Sequence, residues 1–206
     1  NPCDLFNINK LKKKFKFKLV EDCAHACGSL YKNKKIGYDS DIACFSFSTL
    51  KNITTLGEGG MIATNSKKYN EYARLLRTNF PIGKRVQKKL LKLGKYKRPT
   101  KLDYSFSGDA WNTKYWKEIS EIGSTFRMSS PQAAVGIVQL KKINHFNLKR
   151  SNIANLFQQT ISKCELLENL YIDKNSKSSC HLFCFFIKQN KYGNNQDFIK
   201  ILDEKF

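Results

Sequence analysis

The sequence predicts an α/β layered domain, and three observations support that prediction. Short apolar runs at residues 17–21, 42–47 and 61–64 have the length of strands. Segments with the period of an amphipathic helix surround them, at residues 5–14 and 67–77. The run at 42–47 is apolar at nearly every position, which is typical of a strand buried on both faces. Strands covered by helices on their faces define the α/β class.

The first half of the chain is predicted to run helix, strand, hairpin, strand, strand, helix. The apolar face of the first helix lies among lysines and consists of Leu5, Phe6, Ile8 and Leu11. The strand that follows ends at Asp22, and a small hairpin pairs residues 30–31 with 35–36 across residues 32–34. Residues 65–66, Asn and Ser, precede the second helix and are typical helix caps.

The middle of the chain is predicted to change from irregular to helical. Residues 80–122 mix basic and aromatic side chains with Ser, Gly and Asn and show no regular period, which indicates a surface insertion. Pro131 suits the first turn of a helix. The apolar periodicity after it predicts one or two helices over residues 131–163.

The C-terminal part is predicted to contain two strands, at residues 170–172 and 180–187, and a helix at 196–205. Because the preceding helical region is long enough to connect two domains, we divide the chain in two. Residues 1–140 form a portion of a large domain, and residues 141–206 form a connector helix with part of a smaller α+β domain.

Composition limits the classes of protein that fit. Lys and Arg number 37 against 17 Asp and Glu, so the net charge of +20 favours an anionic partner such as a nucleotide or a phosphate. The same excess also fits a solvated surface with a general bias toward Lys and Asn. No run of 18 apolar residues predicts a transmembrane helix. Seven cysteines within apolar segments predict reduced thiols and a cytoplasmic protein.

Three polar residues follow or close strand-like segments. Asp22 ends one strand, where open α/β sheets bind ligands, although an ordinary capping aspartate fits as well. Ser46 ends the next strand, as a phosphate contact or a core serine. Lys51 follows five apolar or small residues, so its amine is either a nucleophile or a charge that reaches solvent. The glycines at 57, 59 and 60 permit a close approach of the backbone.

Together these residues resemble a known family. The pattern Asp22-x-x-His25, Ser46-Phe47-x-x-x-Lys51-Asn52, Gly57-Glu58-Gly59-Gly60 resembles the DegT-type (DegT/DnrJ/StrS) sugar aminotransferases. A second stretch, Arg127-Met128-Ser129 followed by Gln132-Ala133-Ala134, is similar to a further family signature. The resemblance implies a fold-type-I large domain with a mixed, mostly parallel sheet between helices. It also implies a fragment that lacks the family's N-terminal part and C-terminal end.

The resemblance implies a role for each site residue. Lys51 would form the internal aldimine with the aldehyde of pyridoxal 5'-phosphate and later move a proton. Asp22 would keep the pyridine nitrogen protonated, Ser46 would bind the cofactor phosphate, and His25 would lie near the ring. Thr125 stands where the family often has an Asn that reaches the phosphate in the partner subunit.

The resemblance also implies a function. The protein would transfer an amino group from glutamate to a nucleotide-linked keto-sugar, a step of deoxyamino-sugar and polysaccharide biosynthesis, and would act as a homodimer with shared active sites. Two alternatives stay open. One is a related sugar dehydratase, in which histidine replaces the lysine, so that Lys51 argues against it. The other is a non-enzymatic basic protein that binds nucleotides or nucleic acid on an aminotransferase scaffold.

Other patterns favour simpler interpretations. Cys23-x-His25-x-Cys27 supplies too few ligands for zinc, and no metal is predicted. Cys180, Leu182 and Cys184 would share one face of the strand at 180–187 and pack in the core. The basic aromatic stretch at 84–104 could bind single-stranded nucleic acid, although no known nucleic-acid module surrounds it.

Overall fold

The computed structural model describes residues 1–77, 124–188 and 195–205. The predicted insertion at 80–122, including the basic stretch at 84–104, lies outside the described residues. Within these ranges the described elements include both helices and strands, two of the strands pair in parallel, and the α/β class predicted from the sequence is confirmed. None of the helices described is long and apolar enough to cross a membrane.

The central sheet has three strands, in the order β1 (Val20–Asp22), β4 (Ile42–Ser46) and β5 (Gly60–Ala63). The first two are parallel, with Asp22 opposite Cys44, whereas β4 and β5 are antiparallel, with Ser46 opposite Gly60. The sheet is therefore mixed, as expected. β4 lies in the centre, which explains its apolar sequence.

A small hairpin consists of β2 (Leu30–Tyr31) and β3 (Lys34–Lys35). The predicted three-residue turn is wrong by one residue: the turn consists of Lys32 and Asn33, with φ of 48° and 62°. Positive φ at both positions is the requirement of a type I′ turn, whose twist matches that of the flanking strands. β2 also pairs, antiparallel, with β7 (Ser176–Lys177) near the other end of the chain.

Four helices occur in the described part of the chain: α1 (Leu5–Phe15), α2 (Lys67–Leu76), α3 (Ser130–Ile161) and α4 (Asn195–Lys205). The side chain of Ser66 accepts a hydrogen bond from the backbone N–H of Tyr69 at 3.3 Å, so the predicted cap of α2 is confirmed. The predicted helical region at 131–163 is one continuous helix. Its N-terminus is fixed by a capping box between Ser129 and Gln132.

Both predicted C-terminal strands need correction. The strand expected at 170–172 is β6 and lies earlier, at Leu167–Asn169. The amide of Asn169 donates to the carbonyl of Gln158 and to Ser162 Oγ, which ties the end of the strand to α3 and turns the chain away. The partner of β6 is β8, which covers only Phe185–Ile187 of the predicted 180–187.

Residues 178–182, named here the return segment, are not part of any strand. Cys180 has a φ of 48°, which breaks the extended backbone. The predicted core face of Cys180, Leu182 and Cys184 is therefore wrong, because Leu182 and Cys184 are exposed. Alternating residues share a face only in a strand.

The principal hydrophobic core lies behind the loop that follows β4. It consists of buried residues of the loop, of the turn after β1 and of α3, with two partly buried neighbours: Cys27, Phe47, Ile53 and Ile143, with Phe45 and Met128. Burial of a large side chain of this kind contributes about 2 kcal/mol. Through this core, the loop between β4 and β5 packs against α3.

Candidate active site

The ends of the two parallel strands place Asp22 and Ser46 on the same edge of the sheet. β1 and β4 are neighbours, and each ends at its polar residue. The Asp22 side chain is exposed, and its Oδ1 accepts a hydrogen bond from the backbone N–H of Ala24 at 3.0 Å. Ser46 Oγ accepts one from the backbone N–H of Ser48 at 3.4 Å. The carboxyl edge of such a sheet is where α/β proteins bind ligands.

Lys51 lies in the loop at residues 47–59, named here the lysine loop, and contacts the turn that follows β1. Its Nζ is 2.7 Å from Nε2 of His25, a hydrogen bond between residues far apart in the sequence. Lys51 is half-buried, and its backbone N–H donates to the carbonyl of Ser48 at 3.0 Å. The loop therefore turns tightly and directs the amine toward the end of β1.

The base of the lysine loop is closed around Thr55, which is fully buried. The backbone N–H of Phe47 donates to the carbonyl of Gly59 at 2.8 Å, and that of Thr55 donates to Phe47 at 3.1 Å. A Cβ on Gly59 would overlap Thr55 Oγ1, and one on Gly60 would lie 2.9 Å from the carbonyl oxygen of Phe45. Gly59 is thus explained by packing within the loop, and Gly60 by the close approach of β5 to β4, rather than by a ligand.

The return segment brings a second part of the chain against Lys51 and His25. Ser179 is only 1% exposed, and its hydroxyl donates to the carbonyl of His25 at 2.9 Å. Its backbone N–H donates to Ser29 Oγ at 2.9 Å. Its carbonyl accepts from the side-chain amide of Asn52, the neighbour of Lys51, at 3.1 Å. One buried serine thus joins the turn after β1 to the lysine loop.

His181 lies two residues after this serine, and its ring packs against that of His25 at a tilt. The centroids of the two imidazole rings are 4.3 Å apart, with their planes inclined by 42°. Burial lowers the pKa of His181, and the charges of His25, Lys51 and Arg150 lower it further. His181 is therefore the neutral neighbour of the contact between Lys51 and His25 at neutral pH.

Helix α3 supports the lysine loop from behind through a polar network. Arg150 donates to the carbonyl of Asn52 at 3.0 Å and to Oδ1 of Asn147 at 3.2 Å. Asn147 in turn donates to the carbonyl of Cys27 at 3.0 Å. The loop that carries Lys51 and the turn that carries His25 are thereby fixed to the same helix.

The cysteines on either side of His25 are buried thiols. Burial raises the pKa of Cys23 to about 12 and also raises that of Cys27, so both thiols are protonated at neutral pH. A zinc ligand would have to be a thiolate. Among residues 1–77, 124–188 and 195–205, no cluster of His, Cys, Asp and Glu could hold a metal ion.

Of the four site residues predicted from the sequence, the structure brings two, Lys51 and His25, into direct contact. Asp22 and Ser46 lie at the ends of neighbouring strands. Thr125 is exposed ahead of α3. The roles assigned to these residues stay predictions. Four residues that support the site were not predicted from the sequence: Ser179, His181, Asn147 and Arg150. The available signal was a histidine between Cys180 and Leu182, shortly after the two serines at 178 and 179.

Comparison with known protein families identifies a match that covers the whole chain. The model of the DegT/DnrJ/EryC1/StrS aminotransferase family matches residues 1–206. A UDP-4-amino-4,6-dideoxy-N-acetyl-beta-L-altrosamine transaminase of Campylobacter jejuni is 29% identical over 98% of this chain and 46% of its own length. A GDP-perosamine synthase of Escherichia coli O157:H7 is 32% identical over 89% of this chain and 40% of its own length. The chain thus spans less than half the length of these relatives.

Solved structures show the same architecture. PseC of Helicobacter pylori, an aminotransferase involved in the biosynthesis of pseudoaminic acid, superimposes with a TM-score of 0.76 at 27% identity, over 99% of this chain and 47% of that one. An aminotransferase of Psychrobacter cryohalolentis gives a TM-score of 0.77 at 21% identity, over 98% and 49%. The expected fold, that of the fold-type-I aminotransferases, is confirmed.

Proposed function

The chain belongs to the DegT/DnrJ/EryC1/StrS aminotransferase family, and on that premise we propose that the protein is a pyridoxal-phosphate-dependent aminotransferase with Lys51 as its reactive amine. The observation that carries the proposal is the 2.7 Å contact between Lys51 Nζ and His25 Nε2 at the carboxyl edge of the sheet. An amine that reacts with a carbonyl needs a partner for its proton, and an imidazole suits that task.

The groups at this edge fit pyridoxal phosphate by their chemistry. Asp22 is exposed, and in the described part of the chain its Oδ2 accepts no hydrogen bond. Over the same residues the hydroxyl of Ser46 acts only as an acceptor, so its proton is available to donate. A carboxylate suits a protonated pyridine nitrogen, a hydroxyl suits a phosphate, and an amine suits an aldehyde.

When bound, pyridoxal phosphate supplies an aldehyde that takes up an amino group and a ring that draws electron density from the reacting carbon. Asp22 would favour the protonated ring nitrogen, because a nearby negative charge stabilises a cation. Ser46 would donate its hydroxyl proton to a phosphate oxygen. His25 Nε2 is within hydrogen-bond distance to hold or release a proton of the Lys51 amine.

Relatives suggest the class of substrate. The names of two relatives specify an amino sugar linked to UDP and one linked to GDP. We therefore assign a nucleotide-linked keto-sugar as the amino acceptor and glutamate as the donor. The net charge of +20 favours a diphosphate-bearing substrate, because a positive surface concentrates anions. The protein would work in the cytoplasm as a homodimer with shared active sites.

Borohydride trapping in the full-length protein tests the role of Lys51. The purified protein, loaded with pyridoxal phosphate, should absorb in the near-visible range, and reduction should leave the cofactor attached to the peptide that contains Lys51. Lys51→Ala should abolish the attachment and lower amino transfer at least about a thousandfold, the scale of losing a nucleophile or proton carrier. Lys149→Ala, at an exposed lysine of α3, is the matched control and should preserve both.

Several results would contradict the proposal. If the wild type shows no absorption band, the cofactor assignment is wrong. If the cofactor is trapped on another lysine, the assignment of Lys51 is wrong. Loss of water from the sugar without amino transfer would indicate a dehydratase. Retention on nucleic acid that falls steeply with added salt, without cofactor binding, would indicate the basic binding protein.

A further inference from the structure

His181 is placed to act on the contact between Lys51 and His25, although it is distant from both in the sequence. The chain has three histidines: His25, His145 and His181. Two of them meet, with ring centroids 4.3 Å apart. Aromatic rings at this distance attract each other and limit the rotation of both. The ring of His181 therefore restricts the orientation of the imidazole that contacts Lys51 Nζ.

The backbone around His181 fixes its position. Ser179 is buried, and hydrogen bonds from its hydroxyl and its backbone N–H hold it to His25 and Ser29. Cys180 adopts a φ of 48°, a left-handed conformation that is uncommon for a residue with a side chain. The chain bends directly after the anchored serine and Cys180, at residues 181–182. As a result, His181 follows a fixed point by only two residues, which leaves it little freedom to move.

The charges around His181 suit a neutral ring. The groups that face it are His25, Lys51 and Arg150, from the turn after β1, the lysine loop and α3. Its pKa is lowered, first by burial and then by these three groups. A neutral imidazole places no further positive charge beside Lys51 and Arg150. The charges around His181 are thus compatible with the position of its ring beside His25.

We propose that His181 is a positioning residue of the lysine site, whose ring fixes the plane of His25 so that His25 Nε2 stays on Lys51 Nζ. The catalytic meaning of this inference rests on the proposed role of Lys51. The positional part does not, because it concerns a contact within the chain itself. It can therefore be tested in the full-length protein without the cofactor.

Trace acylation of the cofactor-free protein measures the reactivity of the Lys51 amine, which should rise when its contact with His25 is weakened. Peptide mass spectrometry gives the labelling of Lys51 relative to the exposed Lys149. His181→Ala removes the ring and should raise the relative labelling of Lys51 about threefold, as expected from the loss of one aromatic contact. His181→Phe keeps a flat ring and should restore the wild-type value. His145→Ala, at an exposed histidine of α3, is the matched control and should change nothing.

If His181 had only a structural role, His181→Ala would lower the thermal midpoint of unfolding, and His181→Phe would not restore the labelling of Lys51. If His181→Ala is unfolded at the assay temperature, His181→Asn replaces it, with the same expectation. Nitrogen NMR of the His25 ring gives a second readout: one tautomer in the wild type and in His181→Phe, and an averaged signal in His181→Ala.

Unchanged Lys51 labelling in His181→Ala, or equal labelling in His181→Ala and His181→Phe, would overturn the inference. Borohydride trapping in the wild type is measured separately. A wild type that traps no cofactor would refute the proposed function but leave the labelling result interpretable. A wild type that traps cofactor while His181→Ala labels normally would refute only the role of His181.

Discussion

The two segments that meet at Lys51 are held in different ways. The lysine loop runs between neighbouring strands, and backbone hydrogen bonds from Phe47 to Gly59 and from Thr55 to Phe47 close it. The return segment is outside the strands and depends on the hydrogen bonds of Ser179. A ladder of backbone bonds survives most side-chain changes, whereas a segment held by one serine does not. The lysine loop should therefore tolerate most side-chain substitutions, whereas the return segment should not tolerate the loss of Ser179.

The largest effect expected from this difference is that of Ser179→Ala. The substitution removes a buried hydroxyl and leaves the partly buried carbonyl of His25 without its partner, which costs about 2 kcal/mol of the free energy of unfolding. Urea denaturation of the full-length protein measures the loss. Ser130→Ala, at an exposed serine in the first turn of α3, is the matched control and should cost less than about 0.5 kcal/mol. Equal losses in the two variants would show that the return segment does not depend on Ser179.

Arg150→Lys tests the support that the lysine loop receives from α3. Arginine contacts the carbonyl of Asn52 and Oδ1 of Asn147 through two different nitrogens, and a single ammonium cannot reproduce that geometry. The expected loss is about 1 kcal/mol, the net contribution of one hydrogen bond. Calorimetric melting checks it, with Lys149→Arg on the same helix as the control. If Arg150→Lys and Lys149→Arg have the same melting temperature, the backbone hydrogen bonds of Phe47 and Thr55 are sufficient to hold the loop.

The smallest effect concerns Asp41, which fixes the register of the parallel strands. The N–H of Leu19 and the ammonium of Lys12, at 2.9 and 2.8 Å, lower the pKa of Asp41 to about 2. Because the pKa is lower in the folded state than the unfolded value of about 3.9, the carboxylate stabilises the fold above pH 4. That stabilisation is lost as the pH falls from about 4 to about 2.

We expect Asp41→Asn to cost about 0.5 kcal/mol at pH 7, since solvent screens a group near the surface. The difference from the wild type should disappear by about pH 2. Denaturation curves at a series of pH values measure it. Asp39→Asn, whose partner Lys34 is largely exposed, serves as the control and should have a smaller effect. If the free energies of unfolding of the wild type and of Asp41→Asn differ by the same amount at every pH, the charge of Asp41 does not contribute to stability.

The same comparison explains how much the sequence could predict. The sheet, the cap at Ser66 and the position of α3 follow from local patterns, because periodicity and capping depend on neighbouring residues. The residues of the lysine loop were found by resemblance, which also pointed to His25. The distance between Lys51 and His25 could not be predicted from spacing, since it depends on how β1 and β4 pair.

The return segment could not be predicted by the same means. The apolar run from Cys180 to Ile187 has the composition of a strand, and nothing local indicates that Cys180 takes a positive φ. That conformation is fixed by contacts of Ser179 with Ser29 and His25, more than a hundred residues away. Tertiary contacts of this kind override local propensity. His181 was therefore assigned to a strand instead of to the site.

The long helix α3 contacts the lysine loop at two points along its length. Gln132, in its first turn, donates to the carbonyl of Glu58 at one end of the loop, and Arg150 donates to the carbonyl of Asn52 beside Lys51. These two helix residues are about five whole turns apart, so they point in the same direction, separated by about 27 Å along the axis. Inserting one residue between them would rotate one contact by about 100° relative to the other. The number of residues between these two contacts is thus constrained, and point substitutions on the outer face of α3 are easier to accommodate than an insertion or deletion between Gln132 and Arg150.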